Sequence, residues 1–227
     1  MEEKVSINSK SILDYIMFKL DKIDNEFTLE ELSKIDEITI DYKDDNVIIF
    51  EELLFLKNLK TLNIRHSSLF NSDFNILLNL NKLENLYFEK CEFENADLIS
   101  SLNLKNLSLI NCNINNYTFL CMFSDLEELS VINGNIEISK INKLKKLKYL
   151  RLSYSKIIDN DNLSLENIRE LYLDNTNIID LSFINNLPHL NKIVISLEQY
   201  KNNKQLLKVL KNKVQVYDEN NIPFQEE

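Results

Sequence analysis

Residues 168–190 read Ile168-Arg169-Glu170-Leu171-Tyr172-Leu173-Asp174-Asn175-Thr176-Asn177-Ile178-Ile179-Asp180-Leu181-Ser182-Phe183-Ile184-Asn185-Asn186-Leu187-Pro188-His189-Leu190. The opening L-x-x-L-x-L triplet, Ile168-Leu171-Leu173, has the alternation of a short strand, in which successive side chains face opposite ways. Leu171 and Leu173 therefore point to one side and Tyr172 to the other. The apolar residues Ile178, Leu181, Ile184 and Leu187 follow as a return that faces the same interior, and Leu190 opens the next copy.

The same triplet recurs outward in both directions. It begins at Leu59, Leu83, Leu104, Leu126, Leu147, Ile168 and Leu190, with a weaker copy at Ile35. Successive starts are 24, 24, 21, 22, 21, 21 and 22 residues apart. Self-similarity at a fixed period marks a stacked repeat architecture. A single coil leaves its apolar face half exposed, and only neighbouring coils can cover it, so the coils must stack.

On these triplets the chain resembles the leucine-rich repeat family, in particular its short bacterial, internalin-like repeats of 21–22 residues, over about residues 35–200. The resemblance implies an α/β leucine-rich-repeat solenoid, curved, with a parallel β-sheet on the concave face and short helices or irregular returns on the convex face. It also implies a role in protein–protein interaction. The ladder position, where the family usually has Asn, holds Ser67, Cys91, Cys112, Gly134, Ser155 and Thr176 here.

Open solenoid ends expose core and strand edges, so capping elements are expected. Residues 1–34 read as a helical N-terminal cap. Its first helix runs from about Ser9 to Ile23 with Ile12, Leu13, Ile16, Met17, Leu20 and Ile23 on one stripe. A capping-box sequence, Thr28-Leu29-Glu30-Glu31, starts a second, short helix. Residues 35–200 hold about eight coils. Residues 201–227 read as a C-terminal cap: a helix over Asn202–Lys211 with Leu206, Leu207 and Leu210 inward, an edge strand at Val214–Tyr217, and a frayed tail from Asn220 to Glu227. With no linker rich in Pro, Gly or Ser, the whole reads as one continuous domain.

Composition narrows the chemistry. The 227 residues contain one Gly and two Pro. A phosphate-cradling loop or a dinucleotide fingerprint needs several glycines, because backbone must approach phosphate where no Cβ fits. Asn is abundant, and it tolerates left-handed backbone better than other residues with a side chain, so it is the expected turn residue in place of glycine. The formal net charge is -10, and residues 1–50 carry 6 Lys/Arg against 13 Asp/Glu. Such a field repels nucleic acid and anionic membranes. The start Met1-Glu2-Glu3-Lys4 lacks a basic head and an uninterrupted apolar stretch, and three cysteines without metal-ligand spacing suit a reducing compartment. A cytoplasmic protein is expected.

No catalytic constellation emerges. His66 and His189 fall at different phases of distant coils, and Cys91 and Cys112, though at equivalent positions, have no recurring co-ligands. Small side chains at that position are expected to hydrogen-bond backbone, and Cys121, in an apolar return, to be buried. No catalytic residue, metal site or cofactor is assigned.

The outward columns of the strands are more informative. The central one reads Thr39, Asn63, Tyr87, Ser108, Ser130, Arg151, Tyr172, Val194. One flank reads Asp41, Arg65, Glu89, Ile110, Ile132, Ser153, Asp174, Ser196, and the other Glu37, Thr61, Asn85, Asn106, Glu128, Tyr149, Glu170, Lys192. Tyr149, Arg151 and Tyr172 should cluster, and Ile110 should meet Ile132. Tyr and Arg combine apolar area with directional hydrogen bonds and are enriched in interface hot spots. The expected protein-binding residues are Tyr87, Ile110, Ile132, Tyr149, Arg151, Tyr172 and Asp174. The sequence thus reads as a non-catalytic protein-binding module, monomeric or weakly homodimeric, whose protein partner it does not identify. The alternatives are an acidic inhibitor or immunity-type protein for a basic toxin or enzyme, and an enzyme of unrecognised class.

Overall fold

Every apolar residue of the eight triplets is buried, from Ile35, Ile38 and Ile40 to Leu190, Ile193 and Ile195. The computed structural model of the chain describes residues 4–43, 48–159 and 162–224. The chain divides into two units, 1–104 and 105–227.

In unit 1 three triplets form strands β1 (Glu37–Asp41), β2 (Thr61–Arg65) and β3 (Asn85–Glu89). They pair in parallel, with Ile38, Leu62 and Leu86 in one register row and Thr39, Asn63 and Tyr87 in the next. Two elements precede them: α1 (Lys10–Leu20) and α2 (Leu29–Leu32). The α1 helix packs against β1 and buries only Ile12 and Ile16 fully. It ends three residues earlier than its apolar stripe suggests, because Asp21 takes a left-handed conformation, and Ile23 is 96% exposed. The capping box forms as expected: the Thr28 Oγ1 accepts from the Glu31 amide, and the Glu31 carboxylate accepts from the Thr28 amide at 2.8 Å.

A buried carboxylate ties α1 to the first return. Glu52 lies in the 3-10 turn Phe50–Phe55 and accepts from the Asn8 amide at 2.6 Å and the Ser9 amide at 3.0 Å. The Ser9 Oγ in turn accepts from the Ile49 amide. Sequence periodicity carries no trace of this polar staple, because it depends on one acid reaching back across 43 residues.

Unit 2 continues with β4 (Asn106–Ile110), β5 (Glu128–Ile132), β6 (Tyr149–Arg151), β7 (Glu170–Tyr172), β8 (Lys192–Val194) and β9 (Gln215–Tyr217), all parallel and paired in that order. The returns are mixed: 3-10 turns at Thr118–Met122 and Ser182–Asn186, and the short helix α3 (Ile138–Ile141). The C-terminal helix differs from expectation. It starts earlier and breaks in two, α4 (Leu197–Asn202) and α5 (Lys204–Leu210). Ser196 and Gln199 form a capping box that starts α4. The break falls at Asn203, whose side chain is buried, accepts from the Leu181 amide and donates to the Ile179 and Gln199 carbonyls. Leu207 and Leu210 are buried as expected, and Leu206 is only half-buried.

The expected frayed tail is folded back over part of its length. Tyr217 makes an antiparallel bridge to Pro223, and Phe224 stacks on Tyr200 with ring centroids 4.0 Å apart and planes 5° apart. Residues 225–227 lie outside the described residues, as do Glu2, Glu3, Asp44 and Asp45 of the acidic N-terminal region.

Each coil leaves its strand through one left-handed residue: His66, Lys90, Asn111, Asn133, Tyr154 and Asn175. Half are Asn, as the composition suggests, but His66, Lys90 and Tyr154 occupy the same position at the usual cost of a side chain there, about 1–2 kcal/mol. The lone glycine is not among them, since Gly134 has no positive φ. It serves close approach instead: a Cβ there would stand 2.6 Å from Val131 Cγ1 and 2.9 Å from the Tyr117 hydroxyl.

Candidate protein-binding face

The exposed side of the unit 2 sheet carries its aromatic and cationic residues at one end. In register, Arg151 of β6 sits beside Tyr172 of β7, Val194 of β8 and Tyr217 of β9. The flanking row is Tyr149, Glu170, Lys192 and Gln215. Adjacent strands bring facing side chains to within contact distance, so these rows become a cluster.

Its geometry is specific. The Tyr149 and Tyr172 rings lie 5.0 Å apart at 43°. Tyr172 is flanked by two cations, the Arg151 guanidinium 5.6 Å and the Lys192 ammonium 5.1 Å from its centroid. Lys192 also lies 5.1 Å from the Tyr217 ring. Attraction of a cation to the ring quadrupole contributes about 0.5–1 kcal/mol each at partly exposed sites. The Tyr172 hydroxyl donates to Glu170 at 3.0 Å, and Lys192 is 3.9 Å from the same carboxylate. Burial raises the Tyr172 phenol, and the neighbouring Glu170 carboxylate adds to it, up to about 12. Burial and the adjacent Tyr172 push Tyr149 up to about 12 as well. Both phenols are therefore neutral hydrogen-bonding groups at ordinary pH.

Arg151 is held from beneath. Its Nε donates to the Ser153 hydroxyl at 3.2 Å, and that hydroxyl donates to the Asp174 carboxylate at 2.6 Å. Here the expected surface role of Asp174 needs correction. Asp174 is 2% exposed and Ser153 fully buried, so Asp174 positions Arg151 through Ser153 rather than presenting its charge. The alternation rule fails because β6 and β7 end at Arg151 and Tyr172. Both residues lie past the strand, where the chain already turns inward. In the longer strands β4 and β5 the rule holds: Ile110 and Ile132 are register partners and half-buried on the same face.

Tyr87 stands on β3 of unit 1, half-buried beside Asn63. Ser108 and Val194, read as outward, are buried. Glu170, Lys192 and Tyr217 complete the cluster and were not among the residues singled out from sequence. Their signals were available: Lys192 lies in the outward column, and the alternation Val214-Gln215-Val216-Tyr217 turns Tyr217 outward with Gln215.

The other candidates resolve into structural roles. The ladder-position side chains bond backbone: the Cys91 thiol reaches the Ile64 carbonyl at 3.4 Å, Ser155 donates to Val131, and Thr176 donates to Leu173. Cys121, expected to be buried, is partly exposed. His66 Nδ1 sits 2.9 Å from Asp41. Burial raises the Asp41 carboxyl, but the Lys43 amide and His66 outweigh it and hold it below its ordinary value. His189 is exposed. Among the described residues no group of three or more His, Cys, Asp or Glu could hold a metal ion, and no helix is long and apolar enough to cross a membrane.

Comparison with solved structures gives the same repeat. An internalin of Listeria monocytogenes matches with a TM-score of 0.65 and 25% identity, over 84% of this chain and 57% of that one. The chain is a leucine-rich-repeat protein. Internalin C2 of the same organism matches this leucine-rich-repeat protein over 86% of its length and 99% of its own, with a TM-score of 0.65 and 20% identity. A leucine-rich-repeat protein of Leptospira interrogans matches at a TM-score of 0.53 and 25% identity, over 73% of this chain and 44% of that one. No family model and no curated protein matches the sequence. The fold is thus an α/β leucine-rich-repeat solenoid, and such proteins are in general non-enzymatic binding modules.

Proposed function

We propose that this leucine-rich-repeat protein is a non-catalytic binding module that presents the exposed face of its unit 2 sheet to a protein partner. The observation that carries the proposal is the Tyr149–Arg151–Tyr172 cluster, extended by Lys192 and Tyr217. Its side chains are already fixed by ring packing, cation–ring contacts and the Ser153–Asp174 support. A pre-set surface loses little ordering entropy on binding, and Tyr and Arg are the residue types that dominate interface energetics. Ile110 and Ile132 supply apolar area on the same sheet, and Tyr87 is the contact proposed for unit 1. The elements before Ile35 and after residue 200 act as end caps. Three free cysteines, two of them buried, support a reducing, cytoplasmic setting, with the chain monomeric or weakly dimeric. The test is capture of the partner by wild-type chain and by Tyr149→Ala/Tyr172→Ala. Loss of capture by the double variant, with folding intact by circular dichroism, is expected. Unchanged capture would remove this face from consideration.

A second reading rests on charge. Residues 1–104 carry 11 Lys/Arg against 21 Asp/Glu, and residues 105–227 carry 15 against 15, so the whole excess of -10 belongs to unit 1. An inhibitor or immunity-type protein for a basic target would use such a field to steer association. Its signature is an association rate that falls steeply with ionic strength and is insensitive to the tyrosine double variant.

A further inference from the structure

The last coil of unit 2 is flanked by a groove of 550 Å³ on a part of the surface that the sheet-face proposal does not use. Leu207, Val214 and Val216 give it an apolar floor, and Lys204, Lys208 and Lys211 line its α5 side. Tyr200 and Phe224, stacked 4.0 Å apart, form an aromatic wall. The groove is of the size that holds a few residues of peptide.

The lysine spacing says what kind of anion fits. Positions 204, 208 and 211 share one helix face and, at 1.5 Å rise per residue, span about 10 Å. A single small anion cannot meet all three ammonium groups. In an extended chain, residues two apart lie on one side about 7 Å from each other, so two acidic side chains of an extended peptide match the row.

The chain itself is already seated there in that conformation. A turn closed by the Asp218 carboxylate, which accepts from the Ile222 amide at 2.7 Å, and by left-handed Asn221 returns the backbone along β9. Pro223 bridges Tyr217 antiparallel, and the Phe224 amide donates to the Val216 carbonyl at 3.2 Å. The sequence after Phe224 is Gln225-Glu226-Glu227, an aromatic residue followed by acids. From the groove's shape, charge and resident segment, we infer that it is a docking site for an extended partner peptide in which an aromatic residue precedes acidic ones, and that Ile222–Phe224 are the in-chain occupant such a peptide displaces.

The test is fluorescence anisotropy with a labelled, C-terminally amidated peptide Ile-Pro-Phe-Gln-Glu-Glu, titrated with the full chain and with full-length variants. An occupied site lowers apparent affinity in proportion to the open fraction. Phe224→Ala should therefore bind the peptide about fivefold more tightly than wild type, the loss of one ring stack. Adding Lys208→Glu should weaken that binding about tenfold, and raised salt should weaken it further. A peptide with Ala for Phe should not bind. Pro223→Ala loosens the same segment and repeats the comparison if Phe224→Ala compromises folding. Equal binding by wild-type and loosened chains, indifference to Lys208→Glu, or no binding to either loosened chain would overturn the inference. None of these outcomes bears on the Tyr149–Tyr172 face, because Phe224 and Lys208 lie outside that cluster.

Discussion

Replacing the only glycine with the smallest possible side chain separates two reasons for its presence. Gly134→Ala adds one methyl group. Since Gly134 has no positive φ, alanine meets no backbone penalty, and the reduced freedom of the unfolded chain would favour it by about 0.4–1 kcal/mol. The folded state opposes this. The new Cβ would fall 2.6 Å from Val131 Cγ1, 2.9 Å from the Tyr117 hydroxyl and 3.0 Å from its Cζ. Val131 is fully buried and Tyr117 nearly so, which leaves little room to yield. Forcing a methyl into such packing costs about 1–3 kcal/mol, so a net loss of about 1–2 kcal/mol is expected. The assay is urea denaturation followed by circular dichroism, combined with a cycle through Tyr117→Phe. Removing the hydroxyl relieves one close contact and leaves the other, so the cycle should show a favourable coupling of about 0.5–1 kcal/mol, within the range for residues in contact. A neutral or stabilising Gly134→Ala, or zero coupling to Tyr117→Phe, would refute the reasoning.

Three further outcomes follow from the same geometry. Tyr154→Gly should stabilise unit 2 by about 1 kcal/mol, because Tyr154 carries the left-handed turn at a cost that Gly avoids, while Asn133→Gly at the equivalent position should gain only a few tenths; denaturation midpoints decide it, and a larger gain at Asn133 would contradict the account. Burial raises the Asp159 carboxyl, but the Ser139 and Ile138 amides that it accepts outweigh that and hold it below the ordinary Asp value of 3.8. Its contribution is therefore present above that value and lost as pH falls through the lowered one. Asp159→Asn should lower stability at neutral pH and make the acid limb of the stability profile shallower, measured by denaturation from pH 7 to pH 2. Finally, Tyr149 and Tyr172, both raised to about 12, should ionise after the exposed tyrosines in an ultraviolet titration. The stability they contribute is complete below the unfolded value near 10 and declines as pH rises toward 12; ionisation of all nine tyrosines in one step near 10 would contradict their burial.

Much of this fold was legible because its core is written as a period. Aliphatic residues three and two apart recur through eight coils, and every one of them is buried, so register and sheet direction followed from spacing alone. What escaped the sequence depends on single long-range polar contacts or on where a strand stops. Glu52 stapling Asn8 and Ser9, and Asn203 splitting the C-terminal helix by binding backbone one coil away, leave no periodic mark. The end of α1 was set by the backbone of Asp21 while the apolar stripe ran on to Ile23. At the candidate face, Tyr149, Arg151 and Tyr172 came together because all three sit inside strands. Asp174 was misread because its strand ends two residues before it. The left-handed column was half legible, since Asn at 111, 133 and 175 announced it, whereas His66, Lys90 and Tyr154 did not.

Site-specific photocrosslinking probes the partner-contact claim most directly. A benzophenone amino acid placed at Tyr172 in the native cell, with the same residue at exposed Asn185 on the opposite wall of the repeat as control, reports what touches each surface. The account predicts one dominant protein adduct from position 172, lost when Arg151→Ala is added, and none from position 185. An adduct from position 185 with none from position 172 would contradict it.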